Sequence, residues 1–423
     1  MKNCLYDVNE KPPIKEWIPF SIQHVFAMFG STILVPLLCG MSVATALFTA
    51  GLGTILYIII TQFKVPAFLG SSFAFIPALI AAGSMGMGYL MTGVMASGLM
   101  YCIVALIVRK SGTDWISKVL PPVVIGSVIV CIGMSLAPTA VDMAMNLNGS
   151  YSLVAFSIAL VTLVAMLVTN LCFKGFVSSI PVLVGLVAGY LFTLIMGWIF
   201  PAYHLIDFTA VKEAAWLGLP KMYAPKFNLG IILTFVIVSF STICEHIGDT
   251  MTISKIIGKE CYKDPGLHRT LLGDGCATIL AGVFAGPCNT TYGENVGTLA
   301  LSKVYSVWVI FGAACCSVFL SFFPKFAALI STVPTAVLGG ISLMLFGSIA
   351  SSGLRTIVDA GIDYSNKRNL AISSVIMVAG IGGLAFQVAL GSNLTLALEG
   401  VALATILGIL MNLLLPKEKS LEK

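Results

Sequence analysis

The sequence predicts an all-α polytopic membrane protein. Of its 423 residues, 58% are hydrophobic and only 10% are charged, whereas about a quarter of the residues in an ordinary globular domain carry charge. A membrane-spanning helix needs about 20 predominantly apolar residues. Twelve apolar stretches approach or exceed that length, at 17–39, 42–62, 86–108, 117–137, 153–170, 176–200, 229–250, 271–285, 304–323, 333–350, 370–388 and 397–415. They leave no room for a sizeable soluble domain.

Two more segments lie where a span is needed, but they contain residues that interrupt helices. They are VPAFLGSSFAFIPALIA (65–81) and AGPCNTTYGENVGTLAL (285–301), which are broken by Pro, Gly, Ser, Thr and Asn. With both counted as membrane-embedded, the chain has fourteen spans and both termini are cytoplasmic. Nineteen of the 23 Lys and Arg residues then lie on the cytoplasmic side, as the positive-inside rule requires.

The two halves of the chain repeat the same features in the same order. QH at 23–24 matches EH at 245–246 at an offset of 222, and the broken segment at 71–75 matches 291–295 at an offset of 220. Seven spans is an odd number, so the second repeat enters the membrane from the opposite side, as in many secondary transporters. The predicted organisation is a cytoplasmic tail (1–16), a first repeat (17–200), an extracellular connector (201–228), a second repeat (229–415) and a cytoplasmic tail (416–423).

Four acidic residues lie inside or at the edge of predicted membrane segments: Glu245, Asp249, Asp274 and Glu294. Placing a carboxylate in a span costs about 2.5–3.5 kcal/mol on insertion scales, so these residues are candidates for function. Glu245 and Asp249 are four residues apart and share one helix face, and Glu294 lies in a broken segment that can face the same cavity. A structural role satisfied by N–H groups or hydroxyls is the alternative, and it has most weight for Asp249 and Asp274.

Histidine and aromatic side chains add further candidates. His24 lies one third of the way into the first span, where a hydrogen-bonded helix contact and a titrating relay group are equally consistent with its position. His246 points about 100° away from Glu245 around the helix, and we assign it to packing. Phe73 and Tyr292 lie in the broken segments, where an aromatic ring can stack on a flat ligand.

The sequence lacks the motifs of several other function classes. It contains no H-E-x-x-H, no G-x-S-x-G and no paired His on one helix face, so it predicts no enzyme, no metal and no cofactor. The net charge of +5 comes without a basic patch, so no nucleic-acid partner is predicted. The eleven Cys residues form no C-x-x-C pair and are assigned to the core.

Several segments resemble those of the nucleobase/ascorbate transporter family, also called nucleobase:cation symporter family 2, and within it the bacterial uracil permeases. They are SIQHVFAMFGSTILVP, VPAFLGSSFAFI, CEHIGD, PGLHRTLLGDG and NTTYGENVG, and the resemblance covers almost the whole chain. It implies a core domain and a gate domain built from both repeats, with a short strand opening spans three and ten. It also implies nucleobase transport with protons or sodium, and a homodimer is the assembly that it suggests.

The resemblance implies roles for individual residues. The substrate-contacting positions correspond to Phe73, Glu245, Tyr292, Gly293 and Glu294. For proton coupling the candidates are Glu245, Asp249 and His24. Candidates for structural or coupling roles beside the site are Asp274, Asn295 and Ser72.

Asp249 departs from the uracil permease pattern, which has His at this position, whereas many purine permeases have Asp. Glu294 is the pyrimidine-type choice, where purine permeases often have Gln. Because the resemblance places Glu294 at a substrate-contacting position, we give it more weight and predict uracil import coupled to proton entry across the cell membrane. The alternative is a purine or xanthine permease coupled to protons or sodium. An inorganic-anion transporter on the same plan is disfavoured, because two acidic residues in the pocket repel an anion.

Overall fold

The computed structural model describes residues 4–416 except 204, 222, 392 and 393. The helices within these residues are α1 (Ile14–Leu38), α2 (Val43–Ile60), α3 (Ile76–Met85), α4 (Met87–Ser111), α5 (Asp114–Val119), α6 (Pro122–Ser135), α7 (Ala137–Met145), α8 (Leu153–Cys172), α9 (Pro181–Ile199), α10 (Thr209–Glu213), α11 (Leu229–Ile257), α12 (Leu267–Val283), α13 (Gly293–Ser302), α14 (Val307–Ser321), α15 (Pro324–Ser331), α16 (Thr335–Asp359), α17 (Lys367–Ile381) and α18 (Gly400–Leu414). The strands are β1 (Leu69–Ser71), β2 (Asn146–Leu147), β3 (Ser150–Tyr151), β4 (Asn289–Thr291), β5 (Ala385–Gly391) and β6 (Leu394–Glu399).

The predominance of apolar helices confirms the predicted fold class. Within the described residues, eight helices are long and apolar enough to cross a membrane, with α6 and α7 taken as one. A ninth is added if α14 and α15, which are bent by 88° at their junction, form one span. The other predicted spans contain helices of 10 to 17 residues, so the total of fourteen stays a prediction. Most of the predicted C-terminal tail (417–423) lies outside the described residues.

The segment between the last two predicted spans differs from the prediction. A helix was expected over 370–388, but α17 ends at Ile381 and β5 pairs with β6 in an antiparallel hairpin. α18 then begins at Gly400, whose φ of 55° is a left-handed conformation that glycine adopts at little cost. The expectation of helix up to residue 388 is therefore wrong. Hydropathy alone did not show this, because only two glycines, Gly382 and Gly383, separate the apolar residues of α17 from Leu384 and those of β5.

The helices pack in two groups. In the first helix group, α12 packs against α4 and α2, and α14 packs against α2 and α1. In the second helix group, α16 packs against α6, α7 and α8, and α17 packs against α18 and α6. α11 contacts α4 in the first group and α6 and α18 in the second. It therefore lies where the two groups meet.

α11 is held at both ends by local sequence signals. The side chain of Asn228 caps its first turn by accepting a hydrogen bond from the Ile231 N–H at 3.1 Å. The helix ends at Gly258, which has a φ of 67°, the left-handed conformation usual after a helix C-terminus. Between these caps, Glu245 and Asp249 lie one turn apart on α11.

Glycines allow close contact between α4 and α12. A Cβ on Gly275 would lie 2.7 Å from the carbonyl oxygen of Gly98, and a Cβ on Gly98 would lie 2.5 Å from the carbonyl oxygen of Gly275. Small residues at such interfaces let membrane helices approach closely. α12 thus packs closely against α4, and it also contacts β4.

The two broken segments meet through β1 and β4. These strands are buried and pair antiparallel, in the register Leu69 with Thr291, Gly70 with Thr290 and Ser71 with Asn289. The register is centred on Gly70 and Thr290, which are 220 residues apart, the offset found between the halves of the sequence. An antiparallel pairing centred on two residues 220 apart is consistent with a two-fold axis that relates the halves of the chain. The structure therefore places the two broken segments as symmetric partners.

Threonines from corresponding helices support the two strands. Thr54 of α2 accepts a hydrogen bond from the Leu69 N–H at 2.9 Å. Thr278 of α12 donates to the carbonyl oxygen of Asn289 at 3.1 Å. α2 follows α1, the first long helix of the first half, and α12 follows α11, the first long helix of the second half. These contacts therefore extend the repeat beyond the strands themselves.

Candidate substrate-binding site

A cavity of about 300 Å³ lies where β1 and β4 give way to helix. This volume is within the lower range of small-molecule sites. Its lining from the broken segments consists of Ser71, Ser72, Phe73, Thr290, Thr291, Tyr292, Gly293, Glu294, Gly297, Thr298 and Leu301. Other lining residues include Phe26 and Ala27 of α1, Glu245 and Asp249 of α11, and Met344, Leu345 and Ser348 of α16. The cavity therefore lies between the two helix groups.

Both broken segments present the start of a helix to the cavity. The helical conformation begins at Phe73 after β1 and at Gly293 after β4. The first N–H groups of a helix have no partner within it, and the helix dipole adds partial positive charge at this end. The two segments thus offer backbone donors to a ligand from two sides.

Three carboxylates lie around the same space. Among the described residues, the buried Oε2 of Glu245 has no hydrogen-bond partner. Asp249 accepts a hydrogen bond from the Thr291 hydroxyl at 3.1 Å. Glu294 accepts one from the Ser31 hydroxyl at 2.5 Å. Glu245, which lines the cavity, therefore keeps a carboxylate oxygen that pairs with no described residue.

Three of the residues that line the cavity carry hydroxyl groups without a partner among the residues described. The Oγ atoms of Ser71 and Ser72 and the Oγ1 atom of Thr290 are buried, and none of them has a hydrogen-bond partner within the described part of the chain. A hydroxyl can both donate and accept. Because unpaired buried polar groups are costly, these three are suited to pairing with a bound polar ligand.

Two aromatic rings are held in fixed positions beside the cavity. The Tyr292 hydroxyl accepts a hydrogen bond from Thr32 at 3.1 Å and donates to the Ser71 carbonyl at 3.2 Å. The ring of Phe73 meets that of Phe346 on α16 edge to face, with ring centroids 5.3 Å apart. Both rings are available to contact a flat ligand without further ordering.

The structure brings most of the predicted residues to the cavity. Those that line it are Phe73, Glu245, Tyr292, Gly293, Glu294, Asp249 and Ser72. His24 and Asn295 lie behind its wall, with Asn295 Nδ2 3.0 Å from His24 Nδ1. Asp274 also lies away from the cavity, and its Oδ2 is 2.7 Å from Nδ1 of His246, with both side chains fully buried. The assignments of these residues to coupling stay predictions.

A second cavity of about 540 Å³ continues from the first. Both are lined by Asp249, Gly293, Gly297, Ser348 and Ser352. The second cavity reaches a charged rim, where Asp359 Oδ2 lies 3.3 Å from Lys255 Nζ and 3.8 Å from Arg355 Nε. The ligand site is thus connected to one end of the molecule.

Comparisons with known proteins agree with this architecture. Residues 15–389 match the family model Xan_ur_permease, described as "Permease family". The chain belongs to this permease family. It is the nucleobase/ascorbate transporter family that the sequence segments resemble. With its apolar helices, the chain is a multi-pass membrane permease.

Curated relatives match this permease over nearly its whole length. The uracil permease of Bacillus subtilis (strain 168) is 49% identical, and the alignment covers 97% of this chain and 95% of the relative. The uracil permease of Bacillus caldolyticus is 47% identical, with coverage of 98% and 96%. The uracil permease of Escherichia coli (strain K12) is 38% identical, with coverage of 96% and 93%.

Solved structures share the fold of this permease at much lower identity. The transmembrane domain of a cyanobacterium bicarbonate transporter, BicA, has a TM-score of 0.65 at 15% identity, over 96% of this chain and all (100%) of that chain. The murine Slc26a9 anion transporter in its inward-facing state has a TM-score of 0.67 at 12% identity, over 96% and 69%. At such identities the likeness shows the fold alone.

Sequence reasoning missed the residues that hold the site in place. Ser31 and Thr32 of α1 bond Glu294 and Tyr292, and Thr291 bonds Asp249. A signal was present, since Ser31 and Thr32 are adjacent hydroxyl residues within an apolar span. Only the structure shows which permease residues they contact, because their partners are more than 250 residues away.

Proposed function

We propose that this permease imports uracil together with protons by alternating access, in a cell membrane with both termini on the cytoplasmic side. The observation that carries the proposal is one cavity that combines carboxylates with the N–H groups of two helix starts. Relatives up to 49% identical over nearly the full chain bear the name uracil permease, which supports the choice of substrate.

The groups around the cavity complement uracil. The pyrimidine has two N–H donors and two carbonyl acceptors around a flat ring. Glu245 and Glu294 accept hydrogen bonds from the two N–H groups, while the helix starts at Phe73 and Gly293 donate to the carbonyls. The ring of Phe73 or Tyr292 covers one face. Each polar group of the ligand thus gains a partner, which is the requirement for burying it.

A proton has a clear place in this arrangement. Glu245, Asp249 and Glu294 all line a cavity of about 300 Å³, where like charges repel more strongly than in water. A proton that enters with uracil neutralises one carboxylate, which we assign to Glu245. After the cavity is exposed to the other side, proton and uracil leave together. Asp249 acts as a relay or orienting group.

The two helix groups correspond to the domains that alternating access requires. We assign the first helix group with α11 to the core and the second to the gate. Lys255 and Arg355 lie on the cytoplasmic side under the positive-inside rule, so the second cavity leads from the site to the cytoplasm. Transport then needs the core and gate to move against each other around the site.

Linking the core to the gate is therefore expected to stop transport. Lys255 on α11 and Asp359 on α16 are 3.3 Å apart at their charged atoms. In a chain with the eleven native Cys replaced, Lys255→Cys with Asp359→Cys is treated with a short bismaleimide, and uracil uptake is measured. We expect loss of nearly all uptake.

The control is a link within one connecting segment. Glu260 Oε2 and Lys263 Nζ are 2.7 Å apart, and the two residues are three positions apart in the sequence. Glu260→Cys with Lys263→Cys therefore tests the cross-linking chemistry without joining the core to the gate. Full uptake after complete cross-linking of the first pair would contradict alternating access by these groups.

The pairing of ligand N–H groups also predicts specificity. Cytosine lacks the N3–H of uracil and has an amino group in place of one carbonyl, so it leaves site groups unpaired. We expect it to bind at least about a hundredfold more weakly than uracil. Thymine adds a methyl group but keeps the donor pattern, and we expect its affinity to be within about tenfold of that of uracil.

Equilibrium competition against labelled uracil on the purified protein tests this specificity and the proposed substrate. Displacement by uracil and thymine, but not by cytosine or xanthine, is the expected result. Absence of saturable uracil binding, or displacement of labelled uracil by cytosine as strongly as by unlabelled uracil, would contradict the proposal. If the protein binds labelled xanthine but not labelled uracil, a purine permease is selected, which is the alternative that Asp249 favours.

A further inference from the structure

α1 contacts the second broken segment through a row of polar side chains. The pairs are Ser31 with Glu294 (2.5 Å), Thr32 with Tyr292 (3.1 Å) and His24 with Asn295 (3.0 Å). The segment is short, because β4 has three residues and α13 has ten. Its side chains therefore depend on α1 for part of their positioning.

Ser31 differs from the cavity residues in its location. It is fully buried, with an exposed fraction of 0%, and it does not belong to the cavity lining. Glu294 lies between Ser31 and the cavity and is partly exposed to the cavity. The Ser31 hydroxyl thus contacts the Glu294 carboxylate from behind, at Oε1, and leaves Oε2 for a ligand.

The hydrogen bond restrains a side chain that would otherwise be mobile. Glutamate has three rotatable side-chain bonds, and fixing such a side chain on binding costs conformational entropy. Among the described residues, Ser31 is the side chain that donates to the Glu294 carboxylate. Hydrogen bonds to charged groups are shorter and stronger than neutral ones. A bond of this kind can therefore hold the carboxylate in one orientation before the ligand arrives.

We propose that Ser31 is a positioning residue that sets pyrimidine recognition by fixing the Glu294 carboxylate. The inference rests on the proposed function and adds to it a residue outside the cavity. A carboxylate held at Oε1 presents Oε2 in one direction, so it accepts from a ring N–H at one position. An unrestrained carboxylate accepts less strongly and discriminates less between ligands that keep or lack that N–H.

Uracil binding to purified Ser31→Ala protein, measured by calorimetry, tests the inference. We expect the Kd to rise about tenfold, because the freed glutamate side chain must then be ordered when the ligand binds, a cost of this order. Ser31→Thr keeps the hydroxyl and is expected to restore most of the affinity. Should Ser31→Ala be too unstable to measure, Ser31→Cys keeps the volume but donates only weakly, so it is expected to show the same weakening.

A matched control is present on the same helix. Ser21 of α1 is also buried, and its hydroxyl donates to the Val309 carbonyl at 3.0 Å, away from the cavity. Ser21→Ala removes a buried hydroxyl from α1 without touching Glu294. We expect it to leave the Kd for uracil unchanged, even where its melting temperature falls as much as that of Ser31→Ala.

Methylated ligands give a measurement that a purely structural role would not change. Wild-type protein is expected to reject both 1-methyluracil and 3-methyluracil, because each lacks one ring N–H. The quantity to compare is the Kd for a methylated ligand divided by the Kd for uracil. In Ser31→Ala, this ratio should fall for the ligand that is methylated at the nitrogen facing Glu294. The ratio for the other ligand should stay as in the wild type.

The outcomes separate this inference from the proposed function. Wild-type protein that binds no uracil would overturn the proposed function, and this inference with it. Uracil binding by the wild type with an unchanged Kd in Ser31→Ala, or with equal weakening in Ser21→Ala, would overturn the inference alone. Ser31→Thr binding as weakly as Ser31→Ala would do the same.

Discussion

Replacement of Glu245 by Gln is expected to abolish uracil accumulation driven by a proton gradient. Glu245 lines the cavity, and its Oε2 has no hydrogen-bond partner among the described residues, so a ligand N–H can supply the partner that this oxygen lacks. Glutamine cannot take up a proton, and its amide nitrogen presents a donor to a ligand donor. Loss of the hydrogen bond between Glu245 and a ligand N–H weakens uracil binding by about tenfold.

The measurement is labelled uracil uptake into proteoliposomes, together with the Kd of the purified variant. Glu213→Gln is the matched control, because Glu213 is exposed on α10 and is not among the cavity residues. It should leave both quantities unchanged. Accumulation by Glu245→Gln against a uracil gradient at the wild-type rate would show that the proton is carried elsewhere.

Gly70→Ala is expected to disrupt the site from the side of the strands. Gly70 lies in β1 opposite Thr290, and a Cβ there would lie 2.5 Å from the Tyr292 hydroxyl and closer still to its ring. The strand is buried and paired, so the ring has to move. Its hydrogen bonds to Thr32 and the Ser71 carbonyl would then be lost.

We expect Gly70→Ala to raise the Kd for uracil at least about tenfold and to lower stability by about 1–3 kcal/mol, the usual cost of overpacking. Calorimetry and thermal unfolding in detergent measure the two effects. Gly197→Ala is the control, since a Cβ at this position of α9 meets nothing within 4 Å, and alanine is favoured within helices. An unchanged Kd in Gly70→Ala would show that the position of Tyr292 does not affect binding.

The broken segments were the most predictable part of the fold and of the site. Pro, Gly and polar residues within an apolar context showed that 65–81 and 285–301 could not be plain helices. Their matching offset of 220 also agrees with the observed register of β1 and β4. The positions of Glu245 and Asp249 followed from helix periodicity, because residues four apart share a face.

Contacts between distant parts of the chain could not be predicted in this way. His246 was assigned to packing, and it is fully buried, but its neighbour at 2.7 Å is the carboxylate of Asp274 on α12. The bond from Ser31 to Glu294 spans 263 residues. Periodicity places a residue on a face of its own helix, whereas the partner on another helix depends on how the helices cross.

The fold and the site give different information about function. The same fold occurs in a bicarbonate transporter and an anion transporter at 15% and 12% identity. In this permease, however, Glu245, Asp249 and Glu294 line the cavity, and carboxylates, when ionised, oppose binding of an inorganic anion. The proposed substrate therefore rests on the side chains around the cavity and not on the architecture.

Uptake of labelled uracil into proteoliposomes tests the proposed function most directly. An inward proton gradient is imposed first, then a sodium gradient at equal pH on both sides, each with and without excess unlabelled xanthine. The proposal predicts accumulation with the proton gradient alone and no effect of xanthine. Accumulation with sodium alone, or transport of xanthine without uracil, would contradict it and show that Asp249 is the better guide to function than Glu294.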